Sequence, residues 1–339
     1  MGAKKVAVLG AGSWGTALAI VLADNGHDVM IWARRHSQAK EMNEHKTNEQ
    51  YLSDAFLPEN IQVTTNVSEA IVECEAVIIS VPTSGIREMT RQLLKADVKI
   101  PLIVHATKGI EPNTLFRVSE MMKEEGINEV SDDIVVLSGP SHAEEVAQRQ
   151  PTTVTVSSQI MDAAKRSQNL FMNTRFRVYT SQDMVGVELG GALKNVMALG
   201  VGLAEGLGYG DNARAAIMTR GIAEMTRLGT KLGADPLTFA GLSGLGDLIV
   251  TCTSKYSRNW RAGYQLGRET PLDQVLEEMG MVVEGVKTTQ AVSQMAKREG
   301  VEVPITSAIY DVLFNGQSPV QAGRLLMDRD PKKETEHLQ

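Results

Sequence analysis

The first half of the chain alternates short apolar runs with amphipathic stretches, the rhythm of strands and helices taken in turn. Val6 to Leu9 is the first apolar run, and a stretch rich in Ala and Leu follows at once. Asp24-Asn25-Gly26 stops that helix, and Asp28 to Ala33 reads as the second strand. Ser37 to Gln50 is polar and helical in character, Ile61 to Thr64 a short strand, and Ser68 to Ile71 a short helix start. Ala76 to Val81 is continuously apolar apart from Ser80, as a strand buried on both faces of a parallel sheet should be, and Pro82 ends it. Ile86 to Leu94 returns to helical spacing. Pro101 to Gly109 is another buried strand, Leu115 to Met122 a helix with Met121 and Met122 in the core, and Ile134 to Ser138 a further strand closed by Gly139-Pro140. Thr152 to Val156 and Phe176 to Tyr179 extend the sheet at its edge. This alternation predicts an α/β domain with a doubly wound, mostly parallel sheet.

From about Val185 the periodicity becomes helical and strand runs nearly vanish. Met184 to Leu199 reads as one long helix, Asp235-Pro236 as an N-cap with proline at the first helical position, and Leu242 to Asp247 as a glycine-rich turn. The charged tail, Asp328 to Gln339, is expected to fray. Two domains follow, at 1–182 and 183–339, the second all-α.

The junction of the first strand and helix carries Gly10, Gly12 and Gly15 in G-x-G-x-x-G spacing. Gly10 permits the tight turn, Gly12 lets a pyrophosphate approach the backbone, and Gly15 lets helix and strand pack closely. The helix N-terminus then faces the phosphates, so this is a Rossmann-like dinucleotide site. At the end of the second strand an acid would bind the ribose of NAD. Arg34 and Arg35 stand there instead, which favours the 2'-phosphate of NADP, with a solvated basic turn as the alternative. Val6 to Ala23 is also uncharged over about the length of a membrane span, but its glycines, Ser13 and Thr16 interrupt it, so an export signal is rejected. No other segment reads as a span.

Among the 339 residues 42% are hydrophobic and 22% charged, ordinary values for a soluble protein. A net charge of −7 opposes nucleic acid and anionic membranes, so an anionic ligand needs a local cationic pocket. Two distant cysteines, Cys74 and Cys252, offer neither a disulfide framework nor a zinc spacing and fit a reducing cytoplasm.

Lys194 is the most informative single residue. Val187, Gly191, Ala198 and Val201 share its helix face, and the opposite stripe is apolar too, so the helix is buried. A lysine there either serves as a base with a lowered pKa or snorkels to the surface, and the pattern leaves both open. Thr251 to Arg261 packs hydroxyls, an amide and arginines into one stretch that suits a phosphate, or else forms a solvated basic loop. Asp247 orients a lysine or bonds a substrate hydroxyl, or is a helix N-cap. His105 and His142 have no metal-ligand partners in pattern and are read as structural, and Cys252 as a small buried residue.

These motifs taken together resemble the bacterial NAD(P)-dependent glycerol-3-phosphate dehydrogenase family over nearly the whole chain. They are Gly10 to Ala17, Ala106-Thr107-Lys108-Gly109, Ser138-Gly139-Pro140-Ser141, Val187 to Asn195, Gly244-Leu245-Gly246-Asp247, Ser257-Arg258-Asn259 and Val283-Glu284-Gly285. The resemblance implies reversible hydride transfer between sn-glycerol 3-phosphate and dihydroxyacetone phosphate with NADP or NAD, supplying glycerol 3-phosphate for phospholipid synthesis in the cytoplasm, without metal. It implies Lys194 as the base and Lys108 and Asp247 as catalytic partners. The implied substrate positions are Lys108, Gly139, Ser141, Lys194, Asn195, Asp247, Ser257, Arg258 and Asn259, with Arg258 and Asn259 nearest the phosphate. The implied cofactor positions are Gly10, Gly12, Ser13, Trp14, Gly15, Arg34, Arg35, Lys108, Ala143, Arg258, Val282, Val283 and Glu284. A homodimer is compatible with such folds. The rival readings are a related two-domain NADP-dependent hydroxyacid dehydrogenase or reductase, and a non-catalytic NADPH sensor.

Overall fold

A computed structural model describes residues 2–280, 282–331 and 333–334. Its contacts divide the chain into two compact units, one of Met1–Thr107 and Val118–Met184, the other of Lys108–Arg117 and Val185–Gln339. The segment Lys108–Arg117 thus leaves the first unit to join the helical one, so a single cut in the sequence does not describe the division.

The first unit is built on eight strands. In chain order it runs β1 (Lys5–Leu9), α1 (Ser13–Asp24), β2 (Asp28–Trp32), α2 (His36–Glu44), α3 (Glu49–Leu52), β3 (Ile61–Thr64), α4 (Val67–Ile71), β4 (Ala76–Ile79), α5 (Ile86–Lys95) and β5 (Ile103–His105). After Lys108–Arg117 it continues through α6 (Val118–Glu124), β6 (Ile134–Ser138), α7 (Ala143–Ala147), β7 (Thr152–Ser157), α8 (Met161–Phe171) and β8 (Phe176–Ser181). The spatial order is β3-β2-β1-β4-β5-β6-β7-β8. Every pairing is parallel except β6 with β7, which are antiparallel, so the two alternating strands do extend the sheet at one edge. β4 and β6 are buried at every residue, as continuous apolar runs require.

The helical unit comprises α9 (Met184–Gly206), α10 (Asp211–Lys231), α11 (Pro236–Phe239), α12 (Asp247–Thr253), α13 (Arg258–Gly267), α14 (Leu272–Met279), α15 (Glu284–Glu299), α16 (Pro304–Phe314) and α17 (Pro319–Met327). α9 is its axis, about 35 Å long. Every one of its residues from Gly186 to Ala204 is buried. α13 lies directly against it through glycines on both sides. A Cβ at Gly202 would stand 2.1 Å from the Trp260 carbonyl oxygen, and one at Gly263 would stand 2.2 Å from that of Leu199.

Four expectations change. The helix assigned from Leu115 begins only at Val118, because Asn113 and Leu115 take φ of 75° and 63° and Ile110 pairs with Arg117 in an antiparallel bridge. The glycine-rich turn at Leu242–Gly246 is a π-helical turn running straight into α12. Among the described residues, two segments beyond the N-terminus are long and apolar enough to cross a membrane, Met184–Gly206 and Pro236–Thr253. The first is 94% buried as the core helix of its unit, and the second is broken at Ala240-Gly241. The strand assigned to Pro101–Gly109 pairs only over Ile103–His105. Of the tail expected to fray, Lys332 and residues 335–339 lie outside the described residues.

Glu224 on α10 is buried and ties two helices together. Its carboxylate accepts the backbone N–H of Ile305 at 2.6 Å and that of Thr306 at 3.2 Å, capping α16 from outside. Burial pushes its pKa up to about 7, against the opposing effect of these hydrogen bonds. The folded state therefore binds a proton more tightly than the unfolded chain. The stabilisation is complete below the ordinary glutamate range and is lost as pH rises through about 7. Urea unfolding from pH 5 to 8 should show wild type losing about 3 kcal/mol relative to Glu224→Gln; parallel curves for the two proteins would refute this.

Candidate active site

In the first unit the glycine motif is formed as its spacing requires. Gly10 has φ of 124°, and a Cβ at Gly15 would stand 1.9 Å from the Gly10 carbonyl oxygen. Gly12 precedes α1 as its N-cap, makes no side-chain cap, and has nothing within 4 Å of where a Cβ would be. The first turn of α1 holds no acid. Trp14 brings a buried indole Nε1 without a hydrogen-bond partner. Ser13 Oγ donates to the Tyr51 carbonyl at 2.6 Å. Open first-turn N–H groups beside an unfilled glycine cradle fit a dinucleotide phosphate. Arg35 is engaged within the fold: it hydrogen-bonds Gln38, Gln50 and the Tyr51 hydroxyl and lies 5.5 Å from the Tyr51 ring centroid. Arg34 is exposed and makes no hydrogen bond or ion pair among the described residues. At the end of β6, Gly139 has φ of 144°, and Ser141 Oγ donates to the Gly139 carbonyl at 2.9 Å. Ala143 is buried at the start of α7.

The helical unit holds a buried cluster of opposite charges. Lys194, midway along α9, is 7% exposed and Asp247, opening α12, is 1% exposed. Lys194 does not snorkel. Its Nζ donates to Asp247 Oδ1 and to Thr251 Oγ1, the latter at 2.8 Å. Thr251 Oγ1 in turn donates to the Asp247 carbonyl at 2.6 Å. Lys108 Nζ reaches the other carboxylate oxygen, Oδ2, at 2.7 Å. Asp247 is therefore not the helix N-cap, a position taken by Gly246.

Burial lowers the Lys194 pKa to about 8; the Asp247 charge opposes that fall and the Lys108 charge adds to it. Burial alone would raise the Asp247 carboxyl, but the two ammonium groups outweigh it and hold it below the ordinary range. Cys252, one residue beyond Thr251, is fully buried, and burial pushes its thiol up to about 12, which suits a packing residue.

A second set lies one residue further along α9. Asn259 Nδ2 donates to Asn195 Oδ1 at 2.9 Å, and Asn259 Oδ1 accepts the Gly285 N–H at 2.9 Å. Asn259 thus joins α9, α13 and α15. Ser257 is the N-cap of α13, accepting the Trp260 N–H at 3.2 Å, and Arg258 is the half-buried first residue of that helix. Val283 is buried at the N-cap of α15, Val282 is exposed beside it, and Glu284 is half-buried at the first position.

The structure brings Lys108, Lys194 and Asp247 together, and Asn195 with Asn259. Gly139, Ser141 and Ala143 belong to the other unit, with the glycine turn. The sequence places Thr251 in the phosphate-suited stretch and not beside Lys194; the signal for that contact is the i, i+4 spacing from Asp247 on one helix face.

A Rossmann-like unit with an open glycine turn, and a helical unit holding a buried lysine of lowered pKa, are the parts of a nicotinamide-dependent dehydrogenase. The model of the N-terminal domain of NAD-dependent glycerol-3-phosphate dehydrogenase matches residues 5–164, and that of its C-terminal domain matches 183–324. Glycerol-3-phosphate dehydrogenase [NAD(P)+] of Shouchella clausii is 57% identical over 337 residues, 99% of either chain. The protein of the same name from Bacillus subtilis is 56% identical over 335 residues, 99% of this chain and 97% of that one. The crystal structure of glycerol-3-phosphate dehydrogenase from Coxiella burnetii superposes with a TM-score of 0.91 at 35% identity, covering 96% of this chain and 99% of that one. The chain belongs to the NAD-dependent glycerol-3-phosphate dehydrogenase family.

Replacing Asp247 by Asn leaves the buried Lys194 ammonium without its counter-charge. Urea unfolding should show a loss of about 3–5 kcal/mol, part of it recovered in Asp247→Asn/Lys194→Met. A midpoint equal to wild type would mean that the carboxylate is not what offsets that charge.

Proposed function

We propose that this chain interconverts sn-glycerol 3-phosphate and dihydroxyacetone phosphate, with NADP or NAD as the hydride carrier. The buried Lys194–Asp247–Lys108 cluster carries the reading, because it holds an amine able to gain or lose a proton near neutral pH. In oxidation, neutral Lys194 takes the proton of the C2 hydroxyl at Nζ. In reduction, Lys194 as ammonium returns that proton to the developing alkoxide. Lys108 adds positive potential at the same oxygen. Asp247 and Thr251 fix the Lys194 amine in direction. Arg258, with Ser257 and the second amide hydrogen of Asn259, grips the phosphate, so that binding energy at a non-reacting group orients C2. Asn195, held by Asn259, presents its own amide N–H groups beside Lys194, and Gly139 and Ser141 complete the substrate positions.

When bound, the nicotinamide supplies or accepts the hydride. Gly10, Gly12, Ser13, Trp14 and Gly15 hold its pyrophosphate. Arg34 takes the 2'-phosphate of NADP, since Arg35 is already engaged. Lys108, Ala143, Arg258, Val282, Val283 and Glu284 are the further cofactor positions. In the cell the reaction runs toward glycerol 3-phosphate for phospholipid synthesis. The cytoplasm is its place, which two free, buried cysteines support, and a homodimer its form. Growth of a glycerol 3-phosphate auxotroph on this gene, and sedimentation of the purified protein, test these last points.

Lys194→Ala should lower turnover about 10²–10⁴-fold while NADPH binding stays near wild type. The oxidative rate should rise with pH through about 8 and the reductive rate should fall through it, because the two directions need opposite protonation states of one amine. Steady-state assays at 340 nm with dihydroxyacetone phosphate and each reduced cofactor measure this. Tight NADPH binding without turnover would favour a sensor instead.

A further inference from the structure

The strap Lys108–Arg117 is closed upon itself and fastened at both ends. Besides the Ile110–Arg117 bridge, Glu111 N–H donates to the Phe116 carbonyl at 2.9 Å and Leu115 N–H to the Glu111 carbonyl at 3.0 Å. Leu115 is a branched residue in left-handed backbone, a conformation that needs outside support. Leu115 and Ile110 supply it by burial in the helical core. At the first end Lys108 reaches Asp247. At the other, Arg117 Nη1 donates to Glu188 Oε2, an ion pair whose side chains are 16% and 4% exposed. Glu188 stands on α9, about 9 Å along the axis from Lys194. One helix therefore carries both the reacting amine and the anchor of the strap that delivers its charged neighbour.

We propose that the Arg117–Glu188 pair is a latch which positions Lys108 on Asp247 and so sets the electrostatic field at Lys194. This rests on the acid/base reading of Lys194. A buried ion pair adds little net stability over an apolar pair of the same size, but it fixes which groups meet. Arg117 and Glu188 are then positioning residues. The charged and titratable groups facing Lys194 are Asp247 and Cys252 from α12 and Lys108 from the strap. Of these Lys108 alone pushes the amine toward its neutral form. A strap released at Arg117 lets Lys108 withdraw, and Lys194 then titrates at higher pH.

The experiment uses full-length enzyme with Glu188→Gln, followed by kcat, the KM for NADPH and the pH profile of glycerol 3-phosphate oxidation. The expected result is a kcat lower by about 10–100-fold and a profile midpoint moved to higher pH, with a KM for NADPH that rises because Lys108 is also a proposed cofactor position. A lower Tm with wild-type kcat and midpoint would show a merely structural pair and overturn the proposal. Should Glu188→Gln fail to fold, Arg117→Met/Glu188→Leu removes both charges together and leaves none unpaired. The same readouts apply, and wild-type kcat and midpoint there are equally fatal. Lys194→Ala, measured alongside, separates the two claims. If it turns over at the wild-type rate, the acid/base assignment fails. If it is inactive while Glu188→Gln is unchanged, only the latch fails.

Discussion

One carboxylate shared by two amines governs the helical unit. Asp247 gives one oxygen to Lys108 and the other to Lys194; Asp247 and Lys194 are buried, and Lys108 is partly so. Lys194 would not tolerate this burial alone, because desolvation of an ammonium is offset only by a close and well-directed partner. With both lysines protonated the cluster carries one surplus positive charge, and it becomes neutral when Lys194 gives up its proton. That is the change an alkoxide forming at C2 would complement. The same balance explains why the Lys194 pKa falls and yet stays near 8: burial and Lys108 pull it down, and Asp247 pulls it back.

The two units divide the physical tasks. In the first, function comes from backbone: a glycine turn, an uncapped helix start and strand ends along one edge of a parallel sheet. Such a site recognises phosphate by its shape and its N–H groups, with few committed side chains. In the second, the proposed chemistry falls to side chains fixed on rigid helices. Asn259 shows how it is done, since one amide joins three helices while keeping a hydrogen to donate.

Much of the fold was legible because the central strands are buried on both faces. Runs such as Ala76–Ile79 and Ile134–Val136 have no polar interruption to confuse their period, and the G-x-G-x-x-G spacing marks the first turn. Legibility ended where tertiary contact overrides local pattern. Leu115 reads as helix by composition, but its backbone is held in the left-handed region by the bridge beside it. The glycines of Leu242–Gly246 suggest a turn, whereas close packing of Gly244 on Phe239 makes them a helical one. For Lys194 the apolar stripes imply burial but not its partners, which lie 53 and 57 positions later in the chain. Glu188 carried the same signal as Lys194, a charge on a helix otherwise apolar all round, and its counter-ion was equally out of reach of any local pattern.

The contact between α9 and α13 has a consequence for how this unit responds to force. Elsewhere, helices meet through interdigitated side chains, and packed helices can still shear a little past one another. Here main chain rests on main chain at Gly202 and Gly263, and no such side chains intervene. The two rods are welded along that seam. A pull on the head of α13, where Arg258 stands, is passed along that seam to the helix that carries Lys194, so the residues proposed to grip the anion and to move the proton shift together.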